Sequence, residues 1–261
     1  MNNPYEIEGP AVVSFSGGRT SGYMLRKILD AGLHPDVHVV FADTGKERVE
    51  TLDFVREVGT QWNTPIRWVE RPGQFTQLIR DRKMLPNPVM RFCTQELKIR
   101  PMRDFMLALG HQHWTNVVGI RADEPRRVAK MKAAEEKRKE RWDIALPLAE
   151  SGVTLDDVTA FWQAQSFDLQ LRPDEGNCDF CFLKSRGKTV NLVREHPELA
   201  QWWAEQEEWM QQNRNERWDQ NHTSDQFRLD RPSYRTMLNQ PDLFKDTDFD
   251  DNDLIECACT D

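Results

Sequence analysis

The chain has 261 residues, of which 30% are charged and 38% hydrophobic, so it has room for one large α/β domain with appendages or two small domains. Its net charge of −8 argues against a broad basic face for duplex DNA, because neutralising phosphates requires clustered Lys and Arg. No stretch approaches the roughly 20 apolar residues that span a bilayer, and residues 1–10 lack the features of a signal peptide. We therefore expect a cytoplasmic protein with no membrane partner.

Four short apolar runs are predicted to form parallel strands. They cover residues 11–15, 37–41, 66–69 and 116–120, and helical segments of ten or more residues separate them. This alternation predicts right-handed crossovers and an α/β fold with a doubly wound, mostly parallel sheet. Three of the four strands end in polar, turn-prone residues. A ligand site is therefore expected at the carboxyl ends of the strands.

The second half of the chain is predicted to be a helical extension, residues 151–261, packed on the sheet-forming region of residues 1–150. Residues 130–141 form a charged run that favours a solvated helix over a mobile segment. Thr154 is typical of a helix N-cap. Residues 192–218 carry four tryptophans at a spacing that favours packing over base stacking: Trp202, Trp203, Trp209 and Trp218. The acidic tail ends in cysteines.

A glycine loop joins the first predicted strand to the first predicted helix. Glycines let backbone N–H groups approach an anion, and the helix N-terminus adds partial positive charge. The loop matches neither the Walker A nor the dinucleotide-binding pattern, so an ordinary capped turn remains the alternative to a phosphate site. The candidate phosphate ligands are Ser16, Gly17, Gly18, Arg19, Thr20 and Ser21, and Ser14 and Phe15 before them are further candidate cofactor-binding residues.

Four of the five cysteines occur in pairs, which favours a metal centre over a disulfide framework in a reducing compartment. Cys178 and Cys181 form a C-x-x-C pair, Cys257 and Cys259 form a C-x-C pair, and Cys93 stands alone. Spacing alone allows tetrahedral zinc on the two pairs. It equally allows an iron–sulfur cluster on Cys93, the C-x-x-C pair and one tail cysteine.

Five motifs, in order along residues 11–185, resemble the phosphoadenylyl-sulfate (PAPS) reductase branch of the ATP pyrophosphatase (PP-loop) superfamily. The first is the S-G-G-x-x-S loop. The others are residues 41–47 (F-A-D-T-G with Glu47), 91–101 (C-x-x-x-x-K-x-x-P, with Phe92 in place of the family's first cysteine), 119–126 (G-I-R-A-D-E-P-R) and 176–181 (G-N-C-D-F-C). The resemblance implies a Rossmann-like sheet, an adenine nucleotide such as ATP at the strand ends, and often a [4Fe–4S] cluster beside it.

The resemblance also implies roles for particular residues. The glycine loop would hold the phosphates, and Asp43 would lie near the ribose or a Mg²⁺ ion. Lys98, Arg121 and Arg126 would neutralise charge on the phosphates or on the second substrate and are the candidate catalytic residues with Asp43. The other candidate nucleotide-binding residues are Thr44, Gly45, Glu47 and Gly119. Because Cys93 stands where cluster-bearing relatives place a ligand, the resemblance favours iron–sulfur over zinc.

Three functions follow from the resemblance. The first is an ATP pyrophosphatase that adenylates a substrate for sulfur transfer, with a nucleic-acid or nucleotide acceptor and a sulfur or electron donor protein as partners. The second is sulfonucleotide reduction by a thiol of the C-terminal tail. There Glu256-Cys257 matches the family ending, while Ala258-Cys259 departs from it. The third is a non-catalytic nucleotide-binding partner protein, against which the intact Ser16, Asp43, Lys98 and Arg121 argue.

Overall fold

A computed structural model describes residues 3–137, 140–172, 175–213 and 225–241. Its strands are β1 (Ala11–Ser14), β2 (Val37–Asp43), β3 (Ile66–Glu70), β4 (Trp114–Val117) and β5 (Trp142–Ala145). All four strand pairings are parallel, and the strand order is β3-β2-β1-β4-β5. The order reverses between β1 and β4, which is where doubly wound sheets bind ligands. The predicted α/β, Rossmann-like fold class is confirmed.

Helices connect the strands, and every regular element described after β5 is a helix. They are α1 (Arg19–Ala31), α2 (Val49–Gln61), α3 (Gln74–Arg82), α4 (Phe92–Thr94), a π-helical turn (Gln95–Ile99), α5 (Arg100–Ala108), α6 (Pro125–Glu136), α7 (Pro147–Glu150), α8 (Leu155–Gln163), α9 (Arg186–Glu195), α10 (Pro197–Asn213) and α11 (Tyr234–Asn239). Among the described residues, no helix combines the length and the apolar character needed to cross a membrane.

The two faces of the sheet are covered by different helices because side chains alternate along each strand. Ala11 and Val13 of β1 face the core that also contains α1, α2 and α8. Val12 faces the opposite core, which Met106 of α5 and Trp114 complete. Burial on both faces explains why β1 and β2 are almost continuously apolar.

The C-terminal helices pack onto the strand-connecting segments rather than forming a separate core. One apolar cluster joins α3 and the π-helical turn to the cysteine-containing loop at 176–183 and to α9, α10 and α11. A second cluster joins the sheet to α8 and to Leu169 and Leu171. Both clusters therefore include residues from each side of position 150.

Helix α10 places Trp203 in the core, with 1% of its surface exposed, and Trp202 and Trp209 partly buried against that core. The ring of Trp203 lies 4.7 Å from that of Phe227 and 5.9 Å from that of Phe75. This packing agrees with the preference for a packing role over base stacking. Trp218 lies outside the described residues.

Two element boundaries differ from the sequence prediction. The fourth strand is Trp114–Val117, not 116–120, because the backbone leaves the sheet before Gly119 to reach the start of α1. Strand β5 was not predicted at all. It is a four-residue edge strand that contains Asp143 and directly follows the charged run. Helix α6, with no buried residue among those described, accounts for most of that run.

Candidate nucleotide and thiol site

The glycine loop follows β1 at the point where the strand order reverses. The Ser21 hydroxyl accepts the backbone N–H of Ser16 (3.2 Å) and donates to the carbonyl of Gly18 (3.0 Å), and the Ser16 and Ser21 hydroxyl oxygens lie 2.9 Å apart. Gly18 is the N-cap of α1, and no described side chain caps this helix start. The first N–H groups of this 13-residue helix therefore lack a side-chain cap among the described residues, as is typical of an anion site.

Gly17 has a φ of +74°, a conformation that favours glycine. A Cβ atom there would lie 2.7 Å from Thr51 Cγ2 and 3.0 Å from Val55 Cγ2. The loop is thus held against α2 by a contact that only glycine permits. At Gly18 a Cβ atom would lie 3.0 Å from the side chain of Asn177.

Two arginines flank the loop, and their contacts differ. Arg121 is buried, donates to the Thr20 hydroxyl (3.2 Å) and is paired with Asp123 (2.9 Å). Arg19 instead binds Asp168 (2.8 Å) and the carbonyl of Leu171 (3.1 Å), and its own carbonyl accepts the indole N–H of Trp162. Arg121 is therefore the cation held at the loop, while the Arg19 guanidinium anchors the segment after α8.

The turn after β2 folds around the buried Glu47 carboxylate. Its oxygens accept the backbone N–H of Thr44 (2.9 Å) and the Thr44 hydroxyl (2.8 Å), while Asp43 accepts the N–H of Gly45 (2.8 Å). Burial raises the pKa of Glu47 above its ordinary value, and the positive charge of Lys98 and the hydrogen bonds from Thr44 oppose that rise. Thr44 and Glu47 thus hold the turn in shape and leave the side chain of Asp43 at its rim.

The C-x-x-C loop is fixed to both of these turns. Cys178 forms an isolated antiparallel bridge with Glu47, and Cys178 Sγ lies 4.0 Å from Glu47 Oε1. Asn177 donates to the carbonyl of Ser16 (2.9 Å) and accepts the N–H of Arg48 (2.9 Å). Lys46 pairs with Asp179 (3.3 Å). Burial raises the pKa of Asp179 above its ordinary value, and the positive charge of Lys46 only partly opposes that rise.

Cys93, Cys178 and Cys181 line one cavity. Cys178 and Cys181 are buried and Cys93 is half-buried. The cavity is completed by Thr44, Lys46, Phe75, Thr94, Leu97, Lys98, Phe182 and Trp203. Three thiols that are up to 88 residues apart in sequence thus meet at one place. Cys257 and Cys259 lie outside the described residues.

A second cavity lies along the face of the sheet between β1, β4 and α5 and reaches the glycine loop at Ser16. It is lined by Ser14, Phe15, Ser16, Ala42, Ile99, Met102 and Asn116 among others, and Lys98 lies in its wall. Asn116 Oδ1 is buried there with no hydrogen-bond partner among the described residues. Lys98, at the end of the π-helical turn, therefore borders both cavities.

Three other predicted residues are Gly45, Gly119 and Arg126. Gly119 packs against the first turn of α1, where a Cβ atom would lie 3.3 Å from Ser21 Cα. Gly45 has a φ of +76°. Arg126 is exposed in the first turn of α6, so its part in the site stays a prediction. The ligand roles of all these residues likewise remain predictions.

Sequence reasoning missed the residues that join the loops. Asn177 was visible only as a neighbour of Cys178, and Lys46 only as a neighbour of Glu47. Asp168, which pairs with Arg19, belongs to no motif. Asn177 and Lys46 could have been noticed because each is next to a motif residue. No sequence pattern pointed to Asp168.

The sheet order and the glycine loop at its switch point define a Rossmann-like α/β protein. Residues 10–170 match the model of the phosphoadenosine phosphosulfate reductase domain, and the chain belongs to that family. The resemblance predicted from the motifs is confirmed.

Two curated relatives share sequence with the chain. It is 34% identical over 206 residues to the "uncharacterized nin region protein ORF290" of Escherichia phage lambda, a match that covers 68% of this chain and 67% of that protein. It is also 34% identical over 125 residues to the "uncharacterized protein MJ0066" of Methanocaldococcus jannaschii, covering 48% of this chain but 25% of that protein.

Two solved structures are similar at 15% identity. One is phosphoadenylyl-sulfate reductase from Candida auris in a phosphate complex, with a TM-score of 0.43 over 62% of this chain and 79% of that one. The other is the U34-tRNA thiolase NcsA from Methanococcus maripaludis with its [4Fe–4S] cluster, with a TM-score of 0.46 over 75% of this chain and 67% of that one.

Proposed function

We propose that this chain is an ATP pyrophosphatase that adenylates a substrate oxygen, which sulfur then replaces. The observation that carries the proposal is the position of Lys98, which borders both the cavity beside the glycine loop and the cavity of the three cysteines. A nucleotide held in the cavity beside the glycine loop would be separated by one side chain from sulfur chemistry in the cavity of the three cysteines. The family match over residues 10–170 supports an adenine nucleotide as the ligand.

In the proposed reaction the substrate oxygen attacks the α-phosphorus of ATP. A new O–P bond forms, the bond to the β-phosphate oxygen breaks, and pyrophosphate leaves with the electron pair. Sulfide-level sulfur from a donor then takes the place of the activated oxygen, and AMP leaves with that oxygen. The acceptor class proposed is a nucleic-acid base or phosphate.

The residues of the site have distinct tasks in this scheme. The N–H groups at the start of α1 and the hydroxyls of Ser16, Thr20 and Ser21 would bind the pyrophosphate. Lys98 and Arg121 would stabilise the charge that develops as pyrophosphate leaves, which positioned cations do best in a partly buried site. Asp43, at the rim of its turn, would hold Mg²⁺ or the ribose.

The cavity lined by Cys93, Cys178 and Cys181, the thiol cavity, fits a soft metal centre because it offers three sulfur ligands. We propose a [4Fe–4S] cluster with Cys257 or Cys259 as the fourth ligand, and zinc is the alternative. When bound, such a cluster supplies iron that can hold sulfide. The protein's own part is to keep the three sulfurs beside Lys98 and under the apolar cover of Phe182 and Trp203.

The function is tested with α-labelled ATP and Mg²⁺, with and without added RNA or DNA, by separating labelled AMP from ATP. We expect AMP and an equal amount of pyrophosphate, and we expect Lys98→Met to lower the rate by about 100-fold or more, as loss of a positioned charge stabiliser does. Lys132→Met, an exposed lysine of α6, is the matched control and should act like the unmodified protein.

Two outcomes would overturn this function. One is equal rates in the Lys98→Met and Lys132→Met proteins. The other is sulfite release from PAPS with a thiol reductant, without AMP from ATP, which would assign the chain to sulfonucleotide reduction instead.

The metal is tested by Cys93→Ser under anaerobic purification. We expect the unmodified protein to carry about four irons and about four sulfides per chain and to be brown. Because Cys93 borders the same cavity as Cys178 and Cys181, its replacement should remove most of the iron and the colour. Zinc that disappears in Cys178→Ser but persists in Cys93→Ser would contradict the cluster and support zinc on the two cysteine pairs.

A further inference from the structure

A second group of metal-ligating side chains lies at the opposite end of the sheet from the glycine loop. Asp36 precedes the first residue of β2, His38 is the second residue of that strand, and His111 follows α5. The glycine loop and the cysteines belong to the carboxyl ends of the strands, so this group is remote from the proposed reaction. None of the three residues belongs to one of the sequence motifs.

The geometry of this group matches the spacing of ligands around one ion. Asp36 Oδ1 lies 3.2 Å from His111 Nε2 and 3.6 Å from His38 Nε2, and one ligand atom of each residue lies within 4.8 Å of the others. Two ligands bound about 2.1 Å from a tetrahedral zinc ion lie about 3.4 Å apart. The carboxylate distances straddle that value, so small side-chain movements would complete the site.

A second observation points to a ligand. His38 Nε2 is buried and has no hydrogen-bond partner among the described residues, although it faces the Asp36 carboxylate. A buried polar atom is normally satisfied, and an orphan calls for an explanation such as an ion. Asp36 is held in place by its backbone, whose N–H donates to His34 Nδ1 (3.1 Å) and whose carbonyl accepts the N–H of Ala11 (3.1 Å).

We propose that Asp36, His38 and His111 bind a divalent transition metal of the zinc class. Two imidazoles and one carboxylate suit zinc better than calcium or magnesium, which prefer all-oxygen ligands. Asp36 is 41% exposed, so a water molecule can take the fourth position. The metal would link the start of β2 to the turn after α5, and its role is to stabilise the sheet at the amino ends of its strands.

The test is titration of the purified full-length chain with Zn²⁺ by calorimetry and with Co²⁺ by absorption spectroscopy. We expect Asp36→Asn and His111→Gln each to bind one metal fewer than the unmodified protein, with affinity at the lost site weakened by more than about 100-fold. The Co²⁺ signal that disappears should have d–d bands without the sulfur-to-cobalt charge transfer that thiolate ligands produce, which separates this site from the cysteines.

The matched control is His113→Gln, because His113 lies two residues from His111 but is 60% exposed and faces Asp143 instead. Zn²⁺ should also raise the Tm of the unmodified and His113→Gln proteins, and should not raise that of His111→Gln, since an ion that binds only the folded state stabilises it. Equal metal stoichiometry in the unmodified, Asp36→Asn and His111→Gln proteins would overturn the proposal, as would a Co²⁺ spectrum made up wholly of thiolate bands.

Discussion

At the scale of single residues, the glycine loop depends on Gly17 more than on any hydroxyl. The residue combines a left-handed φ with a close approach of its backbone to α2. Removing a hydroxyl deletes one hydrogen bond, whereas adding a methyl group at Gly17 moves the whole loop away from Thr51. Loop shape and nucleotide binding should therefore fail together at this position.

Gly17→Ala is expected to lower the free energy of unfolding by about 2–4 kcal/mol, through backbone strain and overpacking together. It should also weaken binding of a non-hydrolysable ATP analogue. Gly152→Ala is the control, because Gly152 has a φ of +70°, close to that of Gly17, but nothing lies within 4 Å of an added Cβ. That variant should lose only about 1–2 kcal/mol and keep its nucleotide affinity. Equal affinities in the two variants would contradict the loop assignment, as measured by calorimetry and chemical denaturation.

The sequence located most site residues but not their contacts. Ser16, Gly17 and Gly18 could be found because a strand, a glycine pair and a helix follow one another. Arg19 was expected to face the phosphates, and its guanidinium instead binds Asp168. An ion-pair partner 149 residues away leaves no local sequence pattern. The sequence around Arg19 therefore could not show whether its charge binds a phosphate or holds another segment of the chain.

At the scale of elements, α10 carries a buried carboxyl that supports the C-terminal helices. Glu207 is 3% exposed and accepts the backbone N–H groups of Phe227 (3.2 Å) and Tyr234 (2.8 Å). Burial raises its pKa from 4.5 to about 7, against the lowering effect of those two hydrogen bonds. The protonated carboxyl is therefore the form that the fold favours.

The sign of the pH dependence follows from that raised value. The contribution of Glu207 to the free energy of unfolding is fully present below pH 4.5 and is lost as the pH rises through about 7. The total loss is about 3 kcal/mol. Glu207→Gln should remove this slope between pH 4.5 and 7, as measured by denaturation at several pH values. Glu205→Gln, an exposed neighbour on the same helix, should keep it. An unchanged slope in Glu207→Gln would show that the group is ionised in the folded state.

Elements that are buried on both faces or carry caps could be predicted, and edge elements could not. Strands β1 and β2 are apolar throughout because helices cover both sides of them. Thr154 was predicted as an N-cap, and its hydroxyl and N–H both bond to Asp157 at 2.8 Å. Strand β5 lies at the sheet edge with a half-polar sequence, so periodicity gave no strand signal. Within residues 192–213, the described part of the tryptophan-rich segment, α9 ends and α10 follows it, with the break at His196 and Pro197.

At the scale of the whole molecule, the two ends of one sheet carry two different chemistries. The carboxyl ends of the strands gather the glycine loop, Lys98, Arg121 and three thiols. The amino end gathers Asp36, His38 and His111. This separation is possible because the strands are parallel: all their carboxyl ends lie on one side of the sheet and all their amino ends on the other. Apolar clusters shared by both halves of the chain hold the cysteine loop against the sheet.

The central claim is that a nucleotide at the glycine loop and a metal centre at the thiol cavity share the wall formed by Lys98. One crystallographic measurement tests it most directly: anaerobic crystals with a non-hydrolysable ATP analogue, with anomalous data collected on both sides of the iron edge. We expect phosphate density within hydrogen-bonding distance of residues 16–21, and an iron peak in contact with the sulfur atoms of Cys93, Cys178 and Cys181. Phosphates bound away from that loop, or a metal peak that does not touch Cys93, would contradict it.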